Sequence, residues 1–437
     1  MLRTQAELFS AIEAGRLDET LKAVYGGELD RHRPRFAALV GNYGAAFGEI
    51  AQAALFSGPG RTELGGNHTD HQHGHVLAAA VDADAVCCAG PGGEAVIRVI
   101  SPGYPDAAVE LDDLSPKESE RGTPAALVRG IAARASAMGF PVGGFNACVD
   151  SQVPGGSGLS SSAAFEVMLG NAVNALFCRG ALSPAEIARM GQFAENDYFG
   201  KPCGLMDQMT SAVGGVVAMD FRDLEQPGIR KLDFSLENAG YALCIIDTGG
   251  DHNKLTADYA AIPAEMHAVA AFFGKRFLRE VDEAQFWKNL PALRSAVSDR
   301  AALRAIHFFG DDRMAQQEAE ALASGNMARF LSLVRLSGIS SATRLQNLVI
   351  PGAVEKQAVP VVLAAAEHLL GESGAVRVHG GGFAGTIQAY VPVGQKEAFR
   401  TGMEALLGRK DCCRFVNFRS VGGTMLSEKL RSRGIEL

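Results

Sequence analysis

Residues 153–167, VPGGSGLSSSAAFEV, place a tight glycine- and serine-rich turn between a strand-like stretch and a helix. Apolar residues recur at a 3.6-residue spacing after this turn and predict a helix from about residue 160 to 177. The unpaired N–H groups and partial positive charge of a helix N-terminus suit such a junction to a phosphate group. The segment has neither the Lys-Ser/Thr ending of a Walker A loop nor the G-x-G-x-x-G spacing of a dinucleotide-binding loop. On the residues alone, a flexible turn with a serine cap is the alternative.

Length and charge exclude several classes of protein. The 437 residues suggest two domains, at roughly 100–200 residues each. A net charge of −8 and a pI near 5.7, without a run of like charges, argue against broad binding of nucleic acid. Apolar runs fall short of the ~18–20 residues of a membrane span, and the N-terminus lacks the apolar core of a signal peptide. Eight cysteines without a Cys-x-x-Cys pair predict buried free thiols, so we expect a cytoplasmic protein with no nucleic-acid or membrane partner.

Strand-like and helix-like segments are mixed through both halves of the chain, without the regular alternation of βαβ units. The predicted helical segments are residues 1–50, 123–138, 160–177, 183–199, a long region after 248 that ends near 370, and 395–407. The predicted strands are a short one that runs into a glycine turn within 53–60, then 75–90, 94–101, 143–153, 241–248, 375–379, 386–393 and 413–418. This mixture predicts an α+β fold, with a boundary near residue 220 that separates domains 1–220 and 221–437.

A second polar, glycine-rich segment, GPGRTELGGNHTDHQHGHV, occupies residues 58–76. Four of its histidines lie within eight residues, beside Asp70; they are His68, His71, His73 and His75. Imidazole and carboxylate are standard zinc ligands, so a metal site is one interpretation. A polar loop that binds a polyhydroxylated ligand and a solvated turn are the other two.

A third segment, NDYFGKPCGLMDQMTSAVGG at residues 196–215, contains a turn followed by a helix. Gly204 permits the turn, and LMDQMTSAV has the character of a helix. Asp207 then falls in the first helical turn, where the helix dipole favours an ionised carboxylate. A carboxylate that only satisfies the unpaired amides of the helix end is the alternative. Glu195, just upstream, is by its own spacing a solvated residue.

Taken in this order, the three segments resemble those of the GHMP kinases, the superfamily of galacto-, homoserine, mevalonate and phosphomevalonate kinases. PGGSGLSSSAA is similar to the phosphate-binding motif of that superfamily, and VRVHGGGFAGTIQAYV at 376–391 to its C-terminal glycine motif. Within the superfamily the sequence is most similar to the galactokinases. GRTELGGNHTDHQHG resembles their sugar signature, G-R-x-N-L-I-G-E-H-T-D-Y, while AENDYFGKPCGLMDQ and LTADYAAIPAEM resemble their catalytic-aspartate and sugar-tyrosine segments. The resemblance covers about residues 53–420.

The resemblance implies roles for individual positions. Asp207 matches the catalytic aspartate that faces the anomeric hydroxyl, and Arg61 matches the signature arginine beside the sugar O1 and the transferring phosphate. The residues implied in sugar binding are Asn67, His68, Asp70, Gly204 and Tyr259.

The resemblance also implies where ATP and Mg²⁺ bind. Ser162 and Glu195 match the Mg²⁺ ligands of the family. The residues that would cradle the ATP phosphates are Gly155, Gly156, Ser157, Gly158, Leu159, Ser160 and Ser161.

Some departures of the sugar signature from the family pattern matter for sugar binding. Asn67 stands where galactokinases carry a glutamate that contacts the sugar, and it is shorter and uncharged but keeps an acceptor oxygen. Glu63 replaces the usual asparagine, and His71 replaces the usual tyrosine. These changes leave the phosphoryl-transfer residues intact and leave the identity of the sugar open.

The reaction implied is transfer of the ATP γ-phosphoryl group to the C1 hydroxyl of a sugar, galactose first of all. A kinase for arabinose, an N-acetylhexosamine or a uronic acid is the nearest alternative, followed by a catalytically silent sugar sensor and by a zinc enzyme that uses the histidines. By the same resemblance we expect a monomer with an N-terminal domain that carries the phosphate loop, a C-terminal domain, and the active site between them.

Overall fold

The structure is a computed structural model that describes residues 2–27, 29–250 and 255–426. The strands in these residues are β1 (Ala54–Gly65), β2 (His75–Pro91), β3 (Val96–Ile100), β4 (Ala107–Glu110), β5 (Phe145–Ser151), β6 (Val216–Asp220), β7 (Gly228–Leu232), β8 (Tyr241–Asp247), β9 (Ala375–Val378), β10 (Thr386–Pro392), β11 (Cys413–Val416) and β12 (Thr424–Leu426). Helices and strands are thus mixed along the chain, as the sequence predicts, and the α+β fold class is confirmed.

The helices precede, separate and follow these strands. They are α1 (Gln5–Glu13), α2 (Asp18–Tyr25), α3 (Leu29–Phe47), α4 (Pro124–Ala137), α5 (Ser161–Leu176), α6 (Pro184–Phe193), α7 (Met206–Val213), α8 (Thr256–Phe272), α9 (Glu283–Lys288), α10 (Leu290–Ala296), α11 (Asp299–Ala323), α12 (Met327–Ser340), α13 (Ala358–Leu370) and α14 (Lys396–Leu407). The long helical region predicted before residue 370 is therefore a series of separate helices. Among the described helices, none combines the length and the apolar character that a membrane span requires.

The strands form two sheets. The larger has the order β12-β1-β2-β5-β3-β4, with β6 paired to β2 and β7 paired to β6, and the smaller has the order β11-β8-β10-β9. β7 and β12 lie beyond residue 220 in sequence and still belong to the larger sheet, so the two sheets do not divide at that position. The domain boundary near residue 220 stays a prediction.

β1 differs from the prediction at its glycines. A turn is predicted in the SGPG stretch, but the strand continues to Gly65 with shifts of register after Pro59 and Glu63. A Cβ added to Gly58 would collide with the Ala164 carbonyl of α5, and one added to Gly60 would lie 2.8 Å from the Leu159 carbonyl oxygen. Glycine is required at these positions because β1 passes close to α5 and to residues 155–161, which we call the glycine-serine loop.

Local sequence rules account well for the helices around the site. α6 begins with the capping box that SPAE predicts, since the Ser183 hydroxyl accepts from the Glu186 amide at 3.3 Å and Glu186 accepts from the Ser183 amide at 2.7 Å. α5 begins one residue later than predicted, at Ser161. Ser160 takes a left-handed conformation with φ of 57°, so it precedes the first helical turn rather than lying in it.

The eight cysteines are free thiols, and all except Cys203 are buried, which confirms that part of the sequence interpretation.

The buried Asp84 carboxylate of β2 has partners on several elements of the fold. It accepts hydrogen bonds from Arg35 of α3 at 2.6 Å, from Arg419 at 3.0 Å, and from Tyr25 of α2 at 2.5 Å. Burial acts to raise the pKa of Asp84, but the two guanidinium groups offset it and hold that pKa below its usual range. This cluster fastens the N-terminal helices and the chain near residue 419 to the sheet.

Replacement of this carboxylate should destabilise the fold strongly. We expect Asp84→Ala to lower the free energy of unfolding by about 3–5 kcal/mol, because it leaves the charges of Arg35 and Arg419 buried without their partner. Chemical denaturation at neutral pH measures the change. Glu94→Ala, which removes one partner of an exposed ion pair with Arg98, is the matched control and should shift the midpoint very little. Equal effects of the two substitutions would contradict the role of the cluster.

Candidate active site

An ion pair between Arg61 of β1 and Asp207 of α7 lies at the centre of the candidate site. The Arg61 Nε and Nη2 atoms donate to the two Asp207 carboxylate oxygens at 2.6 Å each, which is a bidentate pair. The Ser160 hydroxyl donates to the same carboxylate at 2.7 Å, and Arg61 Nη1 donates to the Gly158 carbonyl oxygen. The pair therefore connects the strand, the first turn of α7 and the glycine-serine loop.

The surroundings of Asp207 favour its ionised form. Burial acts to raise the pKa of this carboxyl, but the charge and hydrogen bonds of Arg61, with the Ser160 hydroxyl, more than offset it and bring the pKa below its usual value. The side chain keeps 21% of its surface exposed, so a ligand can reach it. Asp207 can accept a proton or a hydrogen bond there.

The glycine-serine loop is open to solvent over its first residues and anchored at Leu159, which is fully buried. Gly156 and Gly158 have φ values of 71° and 73°, which glycine adopts without strain. From the smaller sheet, the Thr386 hydroxyl donates to the Ser157 carbonyl oxygen at 3.1 Å. The loop thus presents its backbone at the N-terminal end of α5, where unpaired N–H groups favour an anion.

Ser162 and Glu195 lie side by side, next to this loop. The Ser162 hydroxyl donates to Glu195 Oε1 at 2.9 Å, and Glu195, 1% exposed, lies in the π-helical turn Ala194–Phe199 that extends α6. Mg²⁺ prefers oxygen ligands and is held by one or two carboxylates together with substrate phosphates. The hydroxyl and carboxylate present here fit such an ion.

Glu166 is a buried residue of the site that the sequence analysis missed. The Gln208 side-chain amide donates to Glu166 Oε2 at 2.9 Å and to Glu195 Oε2 at 2.8 Å, which joins the two carboxyl groups. Burial, and then the Glu195 charge, raise the pKa of Glu166 well above its usual range. Glu166 is the one charged residue in the sequence of α5, and this is the signal that could have identified it.

Four of the predicted sugar-binding residues make two sets of contacts, Asp70 with Gly204, and His68 and Tyr259 with the glycine turn that follows β9. A Cβ added to Gly204 would meet the Asp70 carboxylate, so these two residues are in contact. His68 Nε2 lies 3.2 Å from the Gly381 carbonyl oxygen, and burial lowers the pKa of His68 to about 3, which keeps the ring neutral. Tyr259 of α8 approaches the same glycine turn of the smaller sheet, with its hydroxyl donating to the Gly382 carbonyl oxygen at 3.0 Å.

The structure argues against direct sugar binding by Asn67. Asn67 is fully buried, and its amide nitrogen donates to Glu63 at 3.1 Å and to the Gly380 carbonyl oxygen at 2.8 Å. Its amide oxygen accepts from Asn347 at 2.9 Å and from Ser341 at 3.4 Å. Both donors and both acceptor positions of the amide are therefore used by the protein.

The Glu63 carboxylate is the group that accepts a hydrogen bond from the Asn67 side-chain amide. It is buried, and Arg377 of β9 donates to it and to the Leu64 carbonyl oxygen. The asparagine and glutamate of the family signature have thus exchanged positions, while a hydrogen bond between amide and carboxylate is present.

The histidine cluster does not form a metal site in the part of the chain that the structure describes, where no group of three or more His, Cys, Asp or Glu side chains could hold an ion. His75 lies 3.0 Å from Asp312 and 3.2 Å from Asp220, and the His73 ring stacks on Phe277 with 3.6 Å between centroids. Because the imidazoles have separate partners, the zinc interpretation has no support here.

Two family models match the chain. Residues 126–215 match the model of the GHMP kinases N terminal domain, and residues 42–91 match the galactokinase galactose-binding signature. The first range contains the glycine-serine loop, Glu195 and Asp207, and the second contains Arg61 and Asp70.

Solved structures share the fold. Lactococcus lactis galactokinase complexed with galactose has a TM-score of 0.78 at 22% identity, over 89% of this chain and 99% of that one. Methanococcus jannaschii mevalonate kinase has a TM-score of 0.60 at 15% identity, over 85% and 99%. D-glycero-D-manno-heptose 1-phosphate kinase from Bacteroides thetaiotaomicron has a TM-score of 0.57 at 17% identity, over 85% and 98%. Residues 126–215 therefore match a GHMP kinase N-terminal domain, and the chain has the fold of the GHMP kinases, as its resemblance predicts. Residues 42–91 match the galactose-binding signature of galactokinases, so the chain is galactokinase-like in this segment as well as in fold.

The exchange of amide and carboxylate predicts a measurable coupling between residues 63 and 67. We expect Asn67→Glu to destabilise the protein, because it buries a second carboxylate against Glu63, and Glu63→Asn to destabilise it by leaving Arg377 without its partner. The double variant should lose less stability than the sum of the two, by roughly 1–3 kcal/mol, in a denaturation cycle. Asn67→Gln is the uncharged control for side-chain length. Additivity within about 0.5 kcal/mol would contradict the exchange.

Proposed function

We propose that this protein is an ATP-dependent sugar kinase that phosphorylates the anomeric C1 hydroxyl of galactose. The observation that carries the proposal is the Asp207 carboxylate, held ionised by Arg61 and lying directly beside the phosphate loop. A hydroxyl acceptor and a phosphate donor can meet there, with a base between them.

Asp207 would accept the proton of the sugar hydroxyl or orient that hydroxyl for attack. An ionised carboxylate is required for either role, and Arg61 keeps it so. The guanidinium would also offset the negative charge that develops on the transferring phosphoryl group. Arg61 needs little rearrangement for this, because its ion pair with Asp207 is already formed.

The phosphate end of the site follows from the loop and α5. Backbone N–H groups of residues 155–161 would cradle the ATP phosphates at the positive end of the helix. Ser162 and Glu195 would hold Mg²⁺, which when bound supplies charge neutralisation at the β- and γ-phosphates. Gln208 fixes the Glu195 carboxylate from behind.

The sugar end rests on Asp70, Gly204, His68 and Tyr259. These residues offer a carboxylate, a backbone amide, a neutral imidazole and a phenol, which suit a ligand with several hydroxyl groups. Galactose is bound by the Lactococcus lactis relative, and the galactose-binding signature matches this chain, so galactose is the first candidate.

A kinase for another sugar, such as arabinose, an N-acetylhexosamine or a uronic acid, is the second candidate. The observation that favours it is the amide of Asn67, whose hydrogen bonds are all made within the protein. The family glutamate at this position contacts the sugar, so one contact is missing or is made elsewhere.

A coupled assay of ADP release with Mg-ATP tests the proposal. We expect turnover with galactose, set beside arabinose, glucose, N-acetylgalactosamine and galacturonate. Turnover with only one of the other sugars would establish the second candidate. Galactose binding without turnover of any sugar would refute the kinase and establish the sensor.

The central pair should be essential for turnover. We expect Asp207→Ala to lower kcat by about 10²-fold or more, because it removes the proton acceptor. Asp220→Ala, which removes a carboxylate at the end of β6, is the control and should retain most of the activity. Circular dichroism checks that both variants are folded. Full activity in a folded Asp207→Ala protein would show that the assignment is wrong.

A further inference from the structure

Lys201 reaches into the candidate cation site, although no motif singles it out. Its ammonium donates to Glu195 Oε1 at 3.0 Å, the same oxygen that accepts the Ser162 hydroxyl at 2.9 Å. The side chain is 63% exposed, whereas Glu195 is 1% exposed. Lys201 thus extends from solvent to the buried carboxylate.

The local backbone explains this position. The turn Ala194–Phe199 is π-helical, and the Lys201 amide donates to the Glu195 carbonyl oxygen at 3.2 Å. The chain therefore reverses direction after this turn, which brings the Lys201 side chain into contact with the Glu195 carboxylate. Gly200, with φ of 85°, makes the reversal possible.

The positive charge of Lys201 acts on several residues of the candidate site. Burial acts to lower its pKa, but the Glu195 carboxylate more than offsets this, so the pKa lies above its usual range. Its positive charge also contributes to lowering the pKa of Asp207, and it acts in the same direction on Tyr259 against the effect of burial there. The ammonium therefore contacts Glu195 and also acts electrostatically on Asp207 and Tyr259.

The glycine-serine loop lacks a cation of its own. Residues 153–162 contain no lysine or arginine. Three nitrogen atoms of Arg61 already donate to Asp207 and to the Gly158 carbonyl oxygen. A nucleotide triphosphate carries several negative charges, so a further cation near α5 would stabilise it.

We propose that Lys201 is a phosphate-binding residue that turns from Glu195 to the phosphate oxygens when a nucleotide is bound. Lysine suits this role, because its ammonium is a point charge with three donors on a flexible stem. The movement removes the ammonium from Glu195 Oε1, so that this oxygen can act as a cation ligand together with the Ser162 hydroxyl. The inference rests on the proposed nucleotide site but not on the identity of the sugar.

Calorimetric titration of the full chain with ATP tests the inference, first in EDTA and then with Mg²⁺. We expect Lys201→Met to weaken ATP binding roughly tenfold, since a hydrogen bond to a charged group is lost. Adenosine binding should be unchanged, and Lys201→Arg should restore most of the affinity for ATP. Lys288→Met, at an exposed lysine of α9, is the matched control and should bind ATP as the wild type does.

Each remaining outcome decides the matter. Unchanged ATP affinity in Lys201→Met would overturn the inference and leave Lys201 as a counter-charge for Glu195. Equal loss of ATP and adenosine affinity would also overturn it, because it would indicate a distorted pocket. If the wild type binds ATP in neither buffer, both the inference and the proposed kinase fail. If it binds ATP but phosphorylates no sugar, only the proposed function fails.

Discussion

The bidentate pair between Arg61 and Asp207 is the interaction on which the candidate site depends. It joins β1 of the larger sheet to the first turn of α7. A third nitrogen of the guanidinium donates to the Gly158 carbonyl oxygen of the glycine-serine loop. A buried charge without its partner is costly, so β1, α7 and the loop must keep positions that satisfy the pair. The glycines of β1 follow from this requirement, because a side chain at Gly58 or Gly60 would separate the strand from α5 and the loop.

The smaller sheet completes the site from the opposite side. His379 follows β9 and lies 3.0 Å from the Thr62 hydroxyl of β1, and Thr386 donates to the carbonyl oxygen of Ser157. Burial lowers the pKa of His379 to about 3, so the ring is neutral and adds no charge beneath the loop. Arg377 pairs with Glu63 in the same contact. Polar contacts between the sheets thus hold the glycine turn at 380–385 against Asn67 and His68.

Local patterns in the sequence were sufficient for some of these features. The strand-to-helix junction at the phosphate loop and the capping box of α6 depend on neighbouring residues, so spacing rules predict them. Arg61, Asp207, Ser162 and Glu195 required the resemblance to a family, since nothing local shows that residues far apart in the chain meet.

Other features depend on tertiary contacts that no local pattern encodes. A Gly-Pro-Gly stretch has the same signal in a turn and in a strand that passes close to a helix, which is why β1 was predicted to end too early. Glu166 and Lys201 are connected to the site through Glu195, which the π-helical turn places in contact with Lys201 and with Gln208, the partner of Glu166. Asn67 matches a family position, but one of its partners, Asn347, lies 280 residues further along the chain.

The arrangement around Asn67 bears directly on sugar recognition. A site that hydrogen-bonds a hydroxyl group discriminates strongly against a ligand that lacks it, because the buried polar partner is then left unpaired. Here the amide of Asn67 keeps its partners whether or not a sugar is bound, so it imposes no such penalty. Under the proposed function, recognition of the sugar would then depend on Asp70, His68 and Tyr259. The hydroxyl that the family glutamate contacts is the part of the sugar that such a site should tolerate changing.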